Sequence, residues 1–192
     1  MAGNQAQKRE GLRKKLVLAI HDLPEQGLDV DVRHDSPDLL AVLHELREGE
    51  GAVSGRVRAH IEPHPDRIDV EGTIEAALPL RCSRCTDPFP WSTSLSFQPI
   101  LLRTKTETAV KGERELLAEE LDVTELVGEV LDLASLVREE LLLSIPEQPL
   151  CREDCKGICE GCGAELNSEV CTCLPATDHR WSKLKGWKPP TT

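Results

Sequence analysis

The sequence predicts an α+β fold, namely an antiparallel β-meander with a packed helix and a small cysteine-rich knuckle at the C-terminal end. Three observations predict this class. Between residues 53 and 97, three consecutive segments alternate apolar and polar side chains with a period of two, as half-buried strands do. Near residue 133 the apolar side chains change to helical spacing. Finally, six of the eight cysteines lie within residues 151–173.

The region before the sheet is expected to hold one strand and one short helix. Residues 1–10 are polar, and we expect them to be disordered. The segment LRKKLVLAI (12–20) can form a strand. Ser36-Pro37 is a helix start signal, and the leucines that follow recur at helical spacing: Leu39, Leu40, Leu43 and Leu46. We therefore predict a short helix within residues 37–50.

The middle of the chain carries the alternating pattern. A Pro-rich turn separates residues 53–61 from residues 68–80, and residues 91–97 repeat the pattern. The side chains predicted to face inward are Val53, Gly55, Val57, Ala59 and Ile61, then Ile68, Val70, Ile74, Ala76, Leu78 and Leu80, and then Trp91, Thr93, Leu95 and Phe97. Short turns between such strands indicate an antiparallel meander.

A second helix is predicted after an acidic, irregular stretch. Residues 104–120 are polar and are expected to form a mobile acidic loop. Asp132 can cap the helix that follows, and Pro146 can end it. Its inward stripe is Leu133, Leu136, Val137, Glu140, Leu141 and Ser144. We expect this helix to pack on the apolar face of the meander.

Charge is distributed unevenly along the chain. The formal net charge of −11 argues against a general nucleic-acid binder, because phosphate would be repelled by most of the surface. Residues 1–15 carry five cations against one carboxylate, and residues 174–192 carry four against one, whereas residues 113–147 hold eleven carboxylates and two arginines. The two basic ends can form one basic face if they fold to the same side, or they can be solvated charge at mobile ends.

We expect a cytoplasmic protein with no membrane association. No segment approaches the about 18 apolar residues of a membrane span, and LVLAI after Lys14-Lys15 is too short for the core of a signal sequence. In a reducing compartment disulfides are disfavoured, so the cysteines are expected to bind metal.

The cysteine spacing favours two tetrahedral metal sites. Cys82 and Cys85 form a C-x2-C turn between two predicted strands, with Arg81 and Arg84 beside them to offset thiolate charge. Gly163 after Cys162 permits a knuckle turn whose N–H groups point at sulfur. Our preferred partition gives one site Cys82, Cys85, Cys151 and Cys155, and the other Cys159, Cys162, Cys171 and Cys173. Local chelation by Cys151, Cys155, Cys159 and Cys162 is the rival partition.

Two Zn²⁺ ions bound in this way would be structural, because four thiolates leave no coordination position open. Disulfides and an iron–sulfur cluster are the alternatives, and both fit less well. The sequence has no phosphate-cradling glycine loop, no G-x-S-x-G and no histidine–carboxylate pair at metal spacing. We therefore expect a protein that is not an enzyme and has no small-molecule substrate.

The chain resembles the YceD family of bacterial large ribosomal RNA subunit accumulation proteins, across roughly residues 78–187. The resemblance rests on RCSRCTDPF around Cys82, on IPEQPLC ending at Cys151, and on CKGICEGCGAELN followed by CTC. Asp178, Arg180 and the basic residues Lys183 and Lys185 match the pattern that often follows. Ile158 stands where leucine is usual.

The resemblance implies a non-enzymatic cytoplasmic factor that 23S ribosomal RNA needs for synthesis, processing or accumulation during biogenesis of the large ribosomal subunit. Expected partners are ribosomal RNA, a large-subunit precursor or ribosomal proteins. The candidate contact residues lie in the basic tail: Arg180, Trp181, Lys183, Lys185 and Trp187. The same tryptophans can instead pack against the knuckle. The alternative function is a cytosolic thiol redox or zinc-responsive regulator that uses Cys82 and Cys85 as its switch.

These interpretations divide the chain into four parts. We expect a disordered terminus over 1–10, an α+β core over 11–150 and a cysteine-rich zinc-binding module over 151–175. A basic tail over 176–192 completes the organisation.

Overall fold

A long antiparallel ladder lies at the centre of the fold. The computed structural model of the chain describes residues 11–104 and 123–173 together with Arg180. Strand β3 (Ser54–Pro63) pairs with β4 (Arg67–Arg81), and Val57 lies opposite Ile74. The inward residues predicted on both strands are buried, apart from the half-buried Gly55, because alternation places every second side chain on the core face. Two strands of the predicted meander are thereby confirmed.

Four further strands complete this sheet. The strand order of the whole six-stranded sheet is β2-β3-β4-β6-β7, and β5 also pairs with β4. The strands are β2 (Leu28–Arg33), β5 (Pro88–Phe97), β6 (Ile100–Thr104) and β7 (Val123–Val127). The pairs β2–β3, β3–β4 and β4–β6 are antiparallel, and the pair β6–β7 is parallel. The third meander strand is β5, while β2, β6 and β7 were not predicted.

A separate two-stranded sheet joins distant parts of the chain. Strand β1 (Val17–Ala19) pairs antiparallel with β8 (Val130–Asp132), so that Leu18 lies opposite Leu131. Both of these leucines are buried. The sequence predicted a strand in the first of these segments and gave no indication of its partner.

Both predicted helices are present. Helix α1 (Pro37–Leu46) begins with proline in its first turn and buries Leu39, Val42, Leu43 and Leu46. It packs against β3. The stripe differs from the predicted one at one position, because Val42 is buried and Leu40 is only half-buried.

Helix α2 (Leu133–Ser144) is the second predicted helix, and Asp132 is its N-cap. The Ser135 backbone N–H donates to Asp132 Oδ1 at 3.1 Å, and the helix ends before Pro146. Helix α2 packs against α1 and β1. The helix that packs against the meander strand β3 is α1, whereas the sequence led us to expect α2 on the meander. Between the two helices, Arg138 Nε donates to Glu45 Oε1 at 2.8 Å, and this hydrogen bond lowers the pKa of the Glu45 carboxyl.

The chain forms two compact units. The sheet unit comprises the described residues within 11–80, 88–104 and 123–147, and aliphatic side chains fill its core. The cysteine unit comprises Arg81–Asp87 and the described residues from 148 onward. Residues 1–10 and most of the expected acidic loop lie outside the described residues. None of the described helices is long and apolar enough to cross a membrane.

Candidate metal centres

The structure gathers all eight cysteines into two groups of four, both in the cysteine unit. The inner cluster is Cys82, Cys85, Cys151 and Cys155, and the outer cluster is Cys159, Cys162, Cys171 and Cys173. Within each cluster the sulfur atoms lie within 4.8 Å of one another, and every cysteine is a free thiol. These are the two sets that the spacing favoured over local chelation by 151, 155, 159 and 162.

A tight turn positions the first two sulfurs of the inner cluster. The Cys82 N–H donates to the Asp87 carbonyl at 3.0 Å, and the Thr86 N–H donates to the Cys82 carbonyl at 2.9 Å. Thr86 has a positive φ of 65°, a conformation that a β-branched residue rarely adopts. The Arg81 guanidinium donates to the Thr86 carbonyl and supports this conformation. The turn thereby places the sulfurs of Cys82 and Cys85 in the same cluster.

Backbone contacts bring the other two sulfurs to this turn. The Ser83 N–H donates to the Pro149 carbonyl at 2.8 Å, and Arg84 Nη1 donates to the Cys155 carbonyl at 2.8 Å. Gly157 has a positive φ, and a Cβ there would lie 2.9 Å from the Arg84 carbonyl oxygen. Only glycine therefore fits this close approach. The sequence assigned Arg84 a charge-balancing role and missed this structural one, which depends on a contact between distant residues.

The inner cluster has the dimensions of a tetrahedral thiolate site. Zinc lies about 2.3 Å from a thiolate sulfur, so neighbouring sulfurs in a tetrahedron are about 3.8 Å apart. The Cys82 and Cys155 sulfurs are 3.7 Å apart, and those of Cys85 and Cys151 are 3.8 Å apart. A disulfide requires about 2.0 Å. The spacing and the four soft donors therefore fit Zn²⁺.

Asn167 contacts the inner cluster from the knuckle. Its Nδ2 donates to the Cys155 sulfur at 3.4 Å, and its Oδ1 accepts from the Lys156 N–H at 2.9 Å. A side chain held in this way orients a ligand residue and favours its thiolate form. Asn167 is part of the family motif, but its role is visible only once the chain is folded.

The outer cluster is formed by a short knuckle. The Gly163 N–H donates to the Cys159 carbonyl at 2.8 Å, and Gly163 has a φ of +76°, which confirms the predicted glycine turn. The Gly161 N–H points at the Cys159 sulfur at 3.4 Å. The Cys171 sulfur lies 3.2 Å from that of Cys159 and 3.6 Å from that of Cys162. This donor set also fits a cation that prefers thiolates.

In each cluster the surroundings make one thiol easy to ionise. Burial raises the pKa of Cys82, but N–H groups of Cys151, Cys85 and Arg84 directed at its sulfur outweigh burial and lower the pKa to about 6. In the outer cluster, a hydrogen bond from the Cys171 thiol is the largest cause that lowers the pKa of Cys159 to about 6. Backbone N–H groups of the knuckle add to this effect.

Another thiol in each cluster is hard to ionise. At Cys85 the N–H of Asp87 lowers the pKa, whereas burial and the three neighbouring thiols raise it to about 12 overall. The pKa of Cys173 is raised to about 12, chiefly by its contact with the Cys171 thiol. A first thiolate therefore disfavours further thiolates beside it. A cation at the centre would remove that repulsion.

Of the five candidate contact residues in the basic tail, only Arg180 belongs to the described residues, and it is exposed. Trp181, Lys183, Lys185 and Trp187 lie outside them.

Comparisons with known proteins point to one family. The family model of "Large ribosomal RNA subunit accumulation protein YceD" matches residues 70–188, which is more than half of the chain. An uncharacterised protein of Mycobacterium tuberculosis is 29% identical over 124 residues, covering 65% of this chain and 57% of that protein. The chain thus spans a little over half the length of this mycobacterial relative.

A plant relative carries a descriptive name. The chloroplastic "Large ribosomal RNA subunit accumulation protein YCED homolog 1" of Zea mays is 25% identical over 152 residues, covering 62% of this chain and 48% of that protein. An uncharacterised protein of Mycobacterium leprae is 23% identical over 158 residues, covering 82% of this chain and 70% of that protein. No solved structure matches the chain.

Proposed function

Because the chain belongs to the YceD family of large ribosomal RNA subunit accumulation proteins, we propose that it is a non-enzymatic factor in large ribosomal subunit biogenesis. In this role it supports the synthesis, processing or accumulation of 23S ribosomal RNA in the bacterial cytoplasm. The family match carries the proposal, and the described structure adds a thiolate-rich unit suited to a structural metal rather than to catalysis.

Two structural Zn²⁺ ions, one in each cluster, complete the cysteine unit in this proposal. The supporting observation is the sulfur spacing of 3.7 and 3.8 Å in the inner cluster, which matches a tetrahedron of thiolates. Four protein ligands leave no position for water or substrate, so the metal supplies cross-linking and charge neutralisation. The inner cluster ties Cys82 and Cys85 to Cys151 and Cys155, which are far away in sequence.

The basic tail is the candidate contact with the ribosomal precursor. Arg180, Lys183 and Lys185 can pair with phosphate, and Trp181 and Trp187 can stack on unpaired bases. The acidic body of the chain is suited to basic ribosomal proteins. The proposed partners are therefore ribosomal RNA, a large-subunit precursor or ribosomal proteins, with no membrane and no small-molecule substrate involved.

Gradient sedimentation of a cell extract tests the ribosomal role. After mild crosslinking, we expect the chain to travel with precursors of the large subunit. Replacing Lys183 and Lys185 with alanine should shift it toward the top of the gradient, whereas replacing Lys14 and Lys15 removes the same charge and should not. If the protein stays at the top of the gradient both with and without crosslinking, the proposal that it binds large-subunit precursors stably is contradicted.

Metal analysis tests the zinc proposal against the redox alternative. Protein purified under reducing conditions should hold two zinc ions per chain, and its Cys82 and Cys85 thiols should resist alkylation. The alternative, a thiol switch at Cys82 and Cys85, requires these two thiols to be accessible, yet they are only 1% and 3% exposed. Rapid alkylation of Cys82 and Cys85 in the native protein would exclude the structural-zinc account.

A further inference from the structure

The two clusters differ sharply in their exposure to solvent. In the inner cluster, Cys82, Cys85 and Cys155 are buried, at 1%, 3% and 3% exposure, and only Cys151 is exposed. In the outer cluster no cysteine is buried, and within the described part of the chain Cys162 and Cys173 are exposed. A small oxidant dissolved in water can therefore reach outer sulfurs directly, whereas most inner sulfurs are shielded by protein.

The local backbone explains this difference. The inner sulfurs lie between two chain segments joined through Ser83 and Arg84. In the outer cluster, glycines flank Cys162 on both sides and add no covering side chain. Around Gly163 there is open space, since a Cβ built there would meet no described atom within 4 Å. Neither sequence neighbour of Cys162 therefore covers its sulfur with a side chain.

A second sulfur lies close enough to react with an oxidised Cys162. Cys171 is the central thiol of the outer cluster, with its sulfur 3.6 Å from that of Cys162 and 3.2 Å from that of Cys159. It is also less exposed than Cys162. An exposed thiol beside a more protected one is the arrangement in which a sulfenic acid is converted to a disulfide before it oxidises further.

We propose that the outer cluster is a peroxide-reactive modification site, in which Cys162 is oxidised first and Cys171 then forms a disulfide with it. This inference goes beyond the ribosomal role and does not rest on it. Three of the four inner cysteines are buried and so are shielded from the same reaction, and the buried sulfurs of Cys82 and Cys155 still join the Cys82–Cys85 turn to the chain around Cys155. Oxidation thus acts first on the outer cluster.

The chemistry balances with hydrogen peroxide as the oxidant. The Cys162 thiolate attacks one peroxide oxygen; an S–O bond forms, the O–O bond breaks, and hydroxide leaves and is protonated to water. The Cys171 thiolate then attacks the sulfur of the Cys162 sulfenic acid; the S–S bond forms, the S–O bond breaks, and a second hydroxide leaves as water. The two sulfurs give up two electrons, which reduce one peroxide to two waters. A cation bound by the outer cluster would lose Cys162 and Cys171 as donors.

The tryptic map of the chain makes the test direct. Cleavage after Lys156 and Arg180 leaves all four outer cysteines on one peptide, 157–180, and the inner cysteines on other peptides. Purified full-length protein is treated with increasing hydrogen peroxide, alkylated and digested. We expect thiols on 157–180 to be lost at least about tenfold faster than the buried inner thiols of Cys82, Cys85 and Cys155. Peptide 157–180 should lose two hydrogens and gain no oxygen. A further cut after Glu160, Glu165 and Glu169 should leave the Cys162 peptide attached to 170–180.

Two variants identify the roles of the thiols. With Cys171→Ser, Cys162 should accumulate sulfenic and sulfinic acid, because its partner is missing. Thr172→Ala changes the neighbouring residue without removing sulfur and should react like the unchanged chain. Slow alkylation of the buried thiols Cys82, Cys85 and Cys155 in each variant verifies that the cysteine unit is still folded.

Three outcomes overturn the proposal: equal rates of loss in both clusters, earlier loss of inner thiols, or a first disulfide that excludes Cys162. The sedimentation experiment tests the ribosomal role separately, so failure of one proposal is distinguishable from failure of the other.

Discussion

At the scale of single residues, Gly72 shows how closely the strands of the sheet approach one another. Gly72 lies on the face of β4 that points toward the core, opposite Ala59 of β3. A Cβ at this position would be 2.5 Å from the Arg58 carbonyl oxygen and 2.7 Å from the Phe97 ring. The carbonyl belongs to a paired strand and cannot move aside without breaking the ladder. Glycine at this position is therefore a packing requirement.

We expect Gly72→Ala to destabilise the protein by about 1–3 kcal/mol or more, as overpacking of a filled interior does. Urea unfolding at constant zinc measures the loss. Gly11→Ala is the control, because a Cβ there meets nothing within 4 Å and the φ of Gly11 is not in the left-handed region. Equal unfolding midpoints for the two variants would contradict the packing argument.

Asn167 provides a second prediction at this scale. Its Nδ2–H donates to the Cys155 sulfur and is the largest cause that lowers the pKa of that thiol. We expect Asn167→Ala to raise the pKa of Cys155 and to weaken zinc binding by about 10–100-fold. Competition with a chromophoric chelator measures the affinity. Ser168→Ala is the matched control, since among the described residues the Ser168 hydroxyl donates to Glu165 and not to a cluster sulfur. Unchanged zinc affinity in Asn167→Ala would contradict the role of Asn167 as a donor to Cys155.

The sequence identified all eight cysteines because spacing and residue type are local properties of the chain. The partition into two clusters was favoured for the same reason, since the last four cysteines can close a site among themselves. By contrast, the roles of Arg84 and Asn167 depend on which carbonyl or sulfur lies within reach after folding. Neither residue has a spacing signal that distinguishes it from an ordinary surface arginine or asparagine.

At the scale of elements, the N-cap of α2 is the clearest local interaction that stabilises a helix end. Asp132 accepts from both the N–H and the hydroxyl of Ser135, at 3.1 and 2.8 Å. We expect Asp132→Ala to lower the free energy of unfolding by about 1 kcal/mol, because an N–H of the first turn loses its partner. Thermal unfolding followed by circular dichroism measures the change. Asp132→Asn keeps an acceptor and should cost less; an alanine variant as stable as the asparagine variant would contradict the capping role.

Elements whose pattern lies within one short segment can be predicted from the sequence, whereas elements that depend on distant strand partners cannot. β3, β4 and both helices carry their periodicity within ten to fifteen residues. β2 shows the same alternation of apolar and polar residues in LDVDVR, where Leu28, Val30 and Val32 are buried. This alternation is a local signal that indicates a strand. β8 and the parallel pair β6–β7 are short and are stabilised by partners distant in sequence, so no local pattern indicates them.

At the scale of the whole molecule, the thiol pKa values predict how metal-free protein responds to pH. Cys82 and Cys159 have pKa values lowered from 9.0 to about 6, so their contribution to stability is present above pH 9 and is lost as pH falls toward 6. Cys85 and Cys173 have pKa values raised to about 12, so their contribution is present below pH 9 and is lost as pH rises toward 12.

Together these groups should make reduced, metal-free protein most stable near pH 9. Thiolate absorbance under a non-thiol reductant should show a first ionisation step with a midpoint at about pH 6. Cys82→Ser and Cys159→Ser should each remove part of this step. A single step near the ordinary thiol pKa of 9.0 would show that the clusters do not perturb their thiols in the metal-free state.

The order in which the chain is synthesised gives the inner cluster a further meaning. Cys82 and Cys85 leave the ribosome first, and the whole of β5 through α2 must be translated before Cys151 and Cys155 follow. Until then the turn that carries Cys82 and Cys85 offers only two sulfurs, which is half of a tetrahedral site. Closure of the inner cluster therefore reports that the sheet-forming sequence has been made in full. A nascent or truncated chain that stops before Cys151 therefore carries the thiols of Cys82 and Cys85 without their two cluster partners.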